Sequence, residues 1–465
     1  MKLNILKDFH EDKEFYKRLF FITFPIVIQN LITSSLNMLD TLMIGKVGEV
    51  ELASVGIANQ YYFLYSIIVL GISIGSGVSI AQLWGKKDEK NIKRVLGLGL
   101  MIGISTTIIF VLIAQIFPQN IINIFNIDPQ VIKIGGEYLK IVSIGYIFTS
   151  LTFSYATALR SLGNTVVPML ASFIGLLVNG ILNYILIFGK LGLPAMGVKG
   201  AALATVIARI TECSILLIYV YSKNKILNAT IKEMTNITKD IVNLIYKITI
   251  PIVLNEACWA LGNITYAAIY GRIGTKAAAS IQICTTVMNL FMIITFGMAD
   301  AAVVIIGNEI GANREERGKL YAKRISKLTV MIAFILSGIL AISAAPILSV
   351  FNVSEEVKRD SLYILYIYSA MLIVKVYNAV IIVGVLRGGG DATYGTVLQG
   401  ITLWCIGIPA AFVGAFILHL PVYLVVMMTV SEEIIKSIVL LKRFRSYKWI
   451  HNVVKEMGEE DSVIA

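Results

Sequence analysis

The chain contains two copies of one apolar unit. The run Phe24–Ile28 (FPIVI) recurs as Ile250–Leu254 (IPIVL), 226 residues later, with proline second in each run. Beyond one inserted residue the offset is 227. Further matched positions are Gly45 and Gly271, Gly71 and Gly297, Gly85 and Gly311, Leu159-Arg160 and Leu386-Arg387, Gly163 and Gly390, and Leu193-Pro194 and Leu420-Pro421. The duplication predicts two similar lobes, an arrangement common in membrane transporters.

The copied unit is too apolar for a soluble domain. Hydrophobic residues make up 57% of the 465 and charged residues 15%, against about 25% charged in soluble domains. The apolar stretches are long enough to cross a bilayer as helices, and a helix satisfies its own backbone groups there. The predicted spans are 17–44, 51–83, 95–117, 132–158, 165–188, 197–221, 241–270, 277–309, 325–348, 359–385, 393–418 and 421–441. We therefore expect an all-α polytopic membrane protein with two parallel six-helix repeats.

Domain limits and orientation follow from the same pattern. We expect an N-terminal lobe at 1–222, a cytoplasmic linker at 223–240, and a C-terminal lobe with a cytoplasmic tail at 241–465. Lysines and arginines are concentrated in alternate connections, so the positive-inside rule places both termini in the cytoplasm. The net charge of +11 reflects this bias and is weak support for nucleic-acid binding. No cleavable signal peptide is expected at the charged start of the chain.

Four segments carry a family resemblance. They are Asn37–Gly45 (NMLDTLMIG), Ala158–Asn164 (ALRSLGN), its copy Leu386–Asp391 (LRGGGD), and Gly197–Thr205 (GVKGAALAT). Together they resemble the multidrug and toxic compound extrusion (MATE) family over nearly the whole chain. The resemblance implies two lobes around a central cavity. It also implies export of organic cations or related compounds by alternating access, driven by inward proton or sodium movement.

A carboxylate within a predicted span is costly and usually has a partner or a function. Asp40 is the leading candidate. Asn179 and Asn183 share one face of the fifth span, and Thr205 lies in the sixth. These four resemble the MATE N-lobe cation site, which would hold Na⁺ with hard oxygen ligands or use Asp40 to carry a proton. Many relatives have an acid where this chain has Asn183, which leaves the ion open. The alternative is an interhelical hydrogen-bond network without a transport role.

The second copy lacks this polar set. Asp40 and Thr205 correspond to Tyr266 and Glu432, and Asn179 and Asn183 correspond to Ile406 and Ala410. This asymmetry favours a specialised role for the first copy.

The second copy has predicted intramembrane charges of its own at Glu256, Asp300 and Lys375. They form either a functional charge site or a neutralising pair, Glu256–Lys375 or Asp300–Lys375.

Other charged residues have simpler interpretations. Arg209 and Glu212 are predicted to pair with each other, three residues apart on one helix. Glu309 and the pair Glu432-Glu433 are predicted to be solvated near inner helix ends. Arg160 and Arg387 are expected to anchor their helices at the anionic inner surface.

Enzyme motifs are lacking: the sequence shows no Walker A, zinc-ligand or nucleophile-elbow pattern. We predict no cofactor and no enzymatic activity, with H⁺ or Na⁺ as the coupling ion. The expected protein is a monomeric plasma-membrane exporter of cationic or amphiphilic small molecules, in contact with lipid. A lipid-linked saccharide flippase of the same superfamily is the alternative, and a non-transporting scaffold or receptor is a third class.

Overall fold

The computed structural model describes residues 13–351 and 353–455. The charged start of the chain (1–12), Asn352 and the end of the predicted tail (456–465) lie outside the described residues. Twelve long helices follow one another along the described chain, which contains no β-strand. They are α1 Lys13–Gly45, α2 Glu49–Lys86, α3 Glu89–Ile116, α4 Pro129–Ser161, α5 Val166–Phe188, α6 Gly197–Lys223, α7 Lys239–Ile273, α8 Thr275–Gly311, α9 Glu315–Ser349, α10 Glu355–Leu386, α11 Ala392–Ile417 and α12 Val422–Arg445. The all-α, twelve-helix prediction is confirmed.

Local sequence signals set the helix ends. The carboxylate of Asp88 accepts from the backbone N of Asn91 at 3.1 Å and so caps α3. Asp128 caps α4 in the same way, accepting from the backbone N of Gln130 at 2.8 Å. Gly163 and Gly390, which correspond in the two copies, have φ values of +88° and +86°. Glycine tolerates this left-handed conformation at no steric cost, which explains the turn after the Leu-Arg pair in both copies.

Eleven of the described helices, α1–α11, are long and apolar enough to cross a membrane. The twelfth, α12, has a similar length but carries Glu432, Glu433 and Lys436 in its middle. Lys436 Nζ lies 2.7 Å from a Glu432 carboxylate oxygen, and this pairing lowers the cost of placing α12 among apolar helices.

The chain forms two compact units. One unit is Phe24–Val253, and the other comprises the described chain from Leu254 onward together with Lys13–Thr23. The divisions therefore fall inside α1 and α7, just before Pro25 and just after Pro251, rather than in the 223–240 connection. The first turns of α1 pack within the unit that contains the second copy: the Phe15 ring stacks on Tyr321 with centroids 4.6 Å apart.

In the unit Phe24–Val253, the first half of α7 packs tightly on α2. A Cβ atom at Gly75 would lie 2.7 Å from the Thr249 Cα atom, and one at Gly71 would lie 3.1 Å from the Val253 Cα atom. Glycines at these two positions let the helix backbones approach closely, as small residues do in membrane bundles.

Two equivalent arginine contacts fix the ends of α4 and α10. Arg160 Nη2 donates to Gln29 Oε1 at 2.6 Å, and Arg387 Nη2 donates to Asn255 Oδ1 at 2.9 Å. Gln29 and Asn255 correspond at the 226-residue offset, and each follows the helix proline by one turn. Arg387 is 2% exposed, so its predicted role as an anchor at the membrane surface is wrong. Both arginines instead bind the first helix of their own copy.

Candidate functional site

The four residues singled out in the first copy lie together in one hydrogen-bonded row. Asn183 Nδ2 donates to Asp40 Oδ1 and, at 3.0 Å, to Asn179 Oδ1. Asn179 Nδ2 in turn lies 3.4 Å from Thr205 Oγ1. Three helices, α1, α5 and α6, supply this set, which we call the Asp40 set. The four-residue spacing on α5 aligns both asparagines toward α1 and α6.

Burial raises the free-energy cost of any polar atom of the Asp40 set that lacks a hydrogen-bond partner. Asn179 and Asn183 are fully buried, and Asp40 and Thr205 are half-buried. Asn183 Oδ1 has no hydrogen-bond partner among the described residues. A buried acceptor without a donor costs about 1–3 kcal/mol. The unpartnered Asn183 oxygen therefore indicates that a bound group contacts it in some state of the protein.

A narrow cavity runs from the Asp40 set to Glu212. Its walls include Ser172, Asn179, Thr205, Arg209 and Glu212, and it has room for about one water molecule, about 10 Å³. Arg209 Nη1 lies 2.9 Å from Glu212 Oε2, which confirms the predicted pair. The pairing neutralises the arginine charge beside the Asp40 set.

The cavity wall continues as a polar chain through α1 and α5. Ser172 Oγ donates to Glu212 Oε1 at 2.5 Å, and Gln29 Nε2 donates to Ser172 Oγ at 2.8 Å. Because Gln29 also binds Arg160, a continuous line of polar side chains runs from the end of α4 to the cavity.

A different polar cluster occupies the equivalent place in the second copy. Tyr266 Oη donates to Glu432 Oε2 at 2.9 Å, and Lys436 Nζ donates to Glu432 Oε1 at 2.7 Å. Glu432 and Lys436 are 5% and 2% exposed, so the prediction of solvated glutamates on this helix is wrong. Tyr266 and Glu432 correspond to Asp40 and Thr205. The second copy thus has polar residues at two of these positions, but of another chemistry.

The cluster extends to α10. Asn378 Nδ2 donates to Glu433 Oε2 at 2.7 Å, and Lys436 Nζ lies 3.3 Å from Glu433 Oε1. On the same helix, the Lys375 ammonium lies 5.9 Å from the Tyr368 ring centroid. We call Tyr266, Asn378, Glu432, Glu433 and Lys436 the α12 cluster.

Two π-helical segments adjoin the α12 cluster. Val380–Leu386 begins just after Asn378, and Leu403–Gly407 ends against Tyr266 and Glu432. Such widened turns are rare and often occur at functional sites.

Glu256 has a different partner from the one expected. Arg387 Nη2 lies 2.7 Å from Glu256 Oε1, so the predicted Glu256–Lys375 pair is wrong. The prediction of Arg387 as a membrane-surface anchor does not anticipate this pairing. Asp300 is half-buried in α8, and its pairing with Lys375 stays a prediction.

The prediction that Glu309 is solvated is also wrong. Glu309 is 2% exposed, and its carboxylate binds Arg314 Nε at 2.6 Å and lies 3.7 Å from Arg18.

The Asp40 set is made of oxygen-bearing side chains of the kind that bind hard cations. No group of three or more His, Cys, Asp or Glu side chains that could hold a metal occurs in the described ranges. The Asp40 set instead offers carboxylate, amide and hydroxyl oxygens, which suit Na⁺. Rotating the Asn183 amide by half a turn would direct its unpartnered oxygen toward Asp40.

The comparisons with known proteins agree with the duplication. The MatE family model matches twice, over residues 25–185 and 251–413. The chain is 24% identical to "Probable multidrug resistance protein NorM" of Thermotoga maritima over 98% of this chain and all of that one. It is 25% identical to "Probable multidrug resistance protein YoeA" of Bacillus subtilis over 84% of each chain.

The fold also matches a solved structure. The crystal structure of a mutant of the Vibrio cholerae MATE transporter VcmN superposes with a TM-score of 0.86 at 18% identity, over 95% of this chain and 98% of that one. The fold and the paired family matches define a multi-pass membrane protein of a transporter class. The chain belongs to the MatE family.

Proposed function

We propose that this chain is a secondary active antiporter that exports drug-like, cationic or amphiphilic small molecules in exchange for protons or sodium ions. The observation that carries the proposal is the Asp40 set, a half-buried carboxylate joined to two fully buried asparagines within a helical membrane bundle. The multidrug resistance names of similar proteins support the substrate class.

In the proposed coupling the Asp40 set alternates between two arrangements, and the structure has the first of them. With the Asn183 amide N directed at Asp40, the amide hydrogens satisfy an ionised carboxylate and no cation is needed. With the amide reversed, the oxygens of Asp40, Asn183 and Thr205 become ligands for Na⁺. A proton on Asp40 would likewise satisfy the reversed amide, by donating to Asn183 Oδ1.

The cellular setting follows from the charge bias of the loops. We place both termini in the cytoplasm and the transporter in the plasma membrane as a monomer in contact with lipids. The two copies would form the lobes 1–222 and 241–465, joined through 223–240, and open alternately to each side.

Transport in proteoliposomes tests the proposal. The purified protein is reconstituted, a sodium or a proton gradient is imposed separately, and accumulation of a fluorescent organic cation is followed. We expect at least one gradient to drive accumulation. Failure of both gradients, with movement of a labelled lipid-linked saccharide instead, would favour the flippase alternative.

A further inference from the structure

The chain beyond α12 turns back onto the ends of the second-copy helices. Tyr447 makes this turn with φ +55°, and Trp449–Val454 follows it. We call residues 447–454 the tail strap. Trp449 and Val454 are both 0% exposed, and the burial of these apolar side chains favours the docked position of the strap.

The turn between α10 and α11 forms one half of the surface that receives the tail strap. The His451 backbone N donates to the Gly389 carbonyl O at 2.7 Å. A Cβ atom at Gly389 would lie 2.4 Å from Trp449 Cε3, and one at Gly390 would lie 2.6 Å from the His451 carbonyl O. The strap therefore lies directly on a glycine backbone, where a side chain would exclude it.

Comparison of the two copies shows why position 389 is a glycine. At the 227-residue offset, Gly389 corresponds to Leu162 and Gly390 to Gly163. Gly163 and Gly390 share the left-handed conformation, whereas Leu162 has φ −80° and Gly389 does not have a positive φ. The first copy thus makes the same turn with a leucine at the position of Gly389. The turn does not require this glycine, but the packing of Trp449 on it does.

The turn between α8 and α9 forms the other half of the surface. Asn452 Nδ2 donates to the Ile310 carbonyl O at 3.0 Å and to Asn313 Oδ1 at 2.7 Å. The tail strap therefore joins the ends of two helix pairs, α8–α9 and α10–α11. We call the two turns together the strap seat.

The corner at Tyr447 is strained in the docked position. A left-handed backbone is unfavourable for a residue other than glycine, and it persists only where surrounding contacts impose it. The Tyr447 ring makes such contacts with α9, because the ammonium groups of Lys319 and Lys323 lie 5.4 and 5.3 Å from its centroid. Release of the strap would relieve this strain, which makes the strap a detachable element.

The strap seat adjoins an ion pair inside the helix bundle. Arg387 directly precedes the run Gly388–Gly390, and its Nη2 atom lies 2.9 Å from Asn255 Oδ1 and 2.7 Å from Glu256 Oε1 of α7. A shift of the glycine run would therefore move Arg387 relative to α7.

We propose that the tail strap is an intramolecular peptide ligand of the strap seat, and that its docking holds Arg387 against Glu256. The surface fits a short peptide with a tryptophan and, three residues later, an asparagine, and the strap is that peptide. A segment outside the helix bundle thereby controls an ion pair within it. This regulation by the strap goes beyond the proposed export function.

Proteolysis of the full-length protein in detergent tests the docking. Gly389→Ala should displace the strap without disturbing the turn, since Leu162 occupies the equivalent position in the first copy. We expect trypsin to cleave after Lys448 about tenfold faster than in wild type, because cleavage follows the population of the open form. Gly338→Ala on α9 is the control, because a Cβ atom there meets nothing within 4 Å, and it should be cleaved at the wild-type rate.

A double-mutant cycle tests the link to the ion pair. Glu256→Gln should lower Tm in wild type, because it leaves Arg387 without its partner. We expect a smaller Tm loss when Glu256→Gln is added to Gly389→Ala, and a full loss when it is added to Gly338→Ala. Such non-additivity reports coupling between sites that do not touch.

Peptide rescue tests the seat itself. Trp449→Ala combined with Asn452→Ala releases the strap and leaves the seat intact. A synthetic peptide of residues 446–455 should raise the Tm of this variant saturably, because a ligand that binds only the folded state stabilises it. A scrambled peptide should not, and wild type should not respond because its own strap fills the seat.

Three results would overturn the proposal. The first is slow, wild-type cleavage after Lys448 in Gly389→Ala. The second is an equal Tm loss from Glu256→Gln in the wild-type and Gly389→Ala backgrounds. The third is a strap variant that responds to the authentic and scrambled peptides alike. If Gly389→Ala does not fold, the strap variant takes its place in the cleavage assay and the cycle.

Discussion

At the residue scale, the two copies use equivalent positions for different chemistry. The first copy places Asp40 on α1 and Thr205 on α6, bridged by two asparagines of α5. The second copy has Tyr266 and Glu432 at the same positions, in direct contact. The duplicated framework therefore carries a set of neutral polar side chains around one acid in the first copy, and an ion-paired cluster in the second.

Gly407 makes space for the direct Tyr266–Glu432 contact. A Cβ atom there would lie 2.1 Å from Tyr266 Oη and 2.4 Å from a Glu432 carboxylate oxygen. We expect Gly407→Ala to separate the two side chains and to lower the free energy of unfolding by about 1–3 kcal/mol, the cost of an unmet buried hydrogen bond. Thermal unfolding should show a lower Tm.

Gly400 is the matched control on α11, because a Cβ atom there meets nothing within 4 Å. Gly400→Ala should be neutral or stabilising, since alanine favours helix more than glycine does. Equal Tm values for the two alanine variants would contradict this account of Gly407.

Arg387, which is buried, and Glu256, which is half-buried, form an ion pair whose members depend on each other. Arg387→Met should destabilise the protein by about 3–5 kcal/mol, because it leaves the partner carboxylate uncompensated. Adding Glu256→Gln should restore much of the expression and Tm, whereas Arg317→Met, at an exposed arginine, should cost little. A double variant no better than Arg387→Met would refute the coupling.

At the element scale, glycine positions and local charge pairs set how helices pack. Gly75→Ala should weaken the α2–α7 contact, because its Cβ would lie 2.7 Å from the Thr249 Cα atom and the backbones must separate. We expect a loss of about 1–3 kcal/mol, the usual range for overpacking. Gly56→Ala on the same helix meets nothing within 4 Å and serves as the control. An equally small Tm change in both variants would show that α2 and α7 tolerate wider spacing.

The connection between the copies contains a short helix, Ile231–Thr235, that contacts α3. Thr230 and Glu233 form a capping box at its start, and Glu233 Oε1 accepts from Lys93 Nζ of α3 at 2.7 Å. The hydrogen bond from Lys93, followed by those from Thr230, lowers the pKa of Glu233 from its ordinary 4.5 to about 2. The ionised form is therefore favoured in the folded connection.

The direction of the Glu233 pKa shift determines how the stability of the folded connection depends on pH. A lowered folded-state pKa gives a stabilising contribution that is complete above pH 4.5 and is lost as pH falls toward 2. We expect hydrogen-exchange protection of residues 231–238 to decline over that window in wild type. Glu233→Gln should reduce protection already at pH 7, whereas Lys232→Gln should not. Unchanged protection in Glu233→Gln at pH 7 would exclude this contact as a restraint.

At the scale of the whole molecule, much of the architecture is predictable because its signals are local. Hydrophobic length predicts the twelve helices, and the repeat offset predicts the paired glycine turns at Gly163 and Gly390. The proximity of the Asp40 set is predictable for two reasons. Asn179 and Asn183 are four residues apart and so share one face of α5, and the family resemblance identifies Asp40 and Thr205 as their partners.

The sequence alone does not predict the α12 cluster, and the reason is physical. Its members come from helices far apart in sequence, and Glu432-Glu433 was interpreted as part of a solvated helix end. The anchor prediction for Arg387 is wrong for a similar reason, because its partners Asn255 and Glu256 lie on a helix far away in sequence. The usable signal was Lys436, four residues after Glu432 and equivalent to Arg209 in the other copy, which indicates charges paired inside a helix bundle.

The central claim is that Asp40 couples an ion gradient to export. Asp40→Asn removes the only carboxylate of the Asp40 set at nearly constant volume, so the protein should fold and elute normally. Asp240→Asn, at an exposed carboxylate in the same compact unit, is the matched control.

Counterflow of the coupling ion in proteoliposomes tests this claim most directly. An organic-cation gradient is imposed, and opposing proton and sodium fluxes are measured with an internal pH dye and radioactive sodium. The account predicts substrate-driven counterflow of one ion in wild type and Asp240→Asn, and its loss in Asp40→Asn. Undiminished counterflow in a folded Asp40→Asn protein would contradict it.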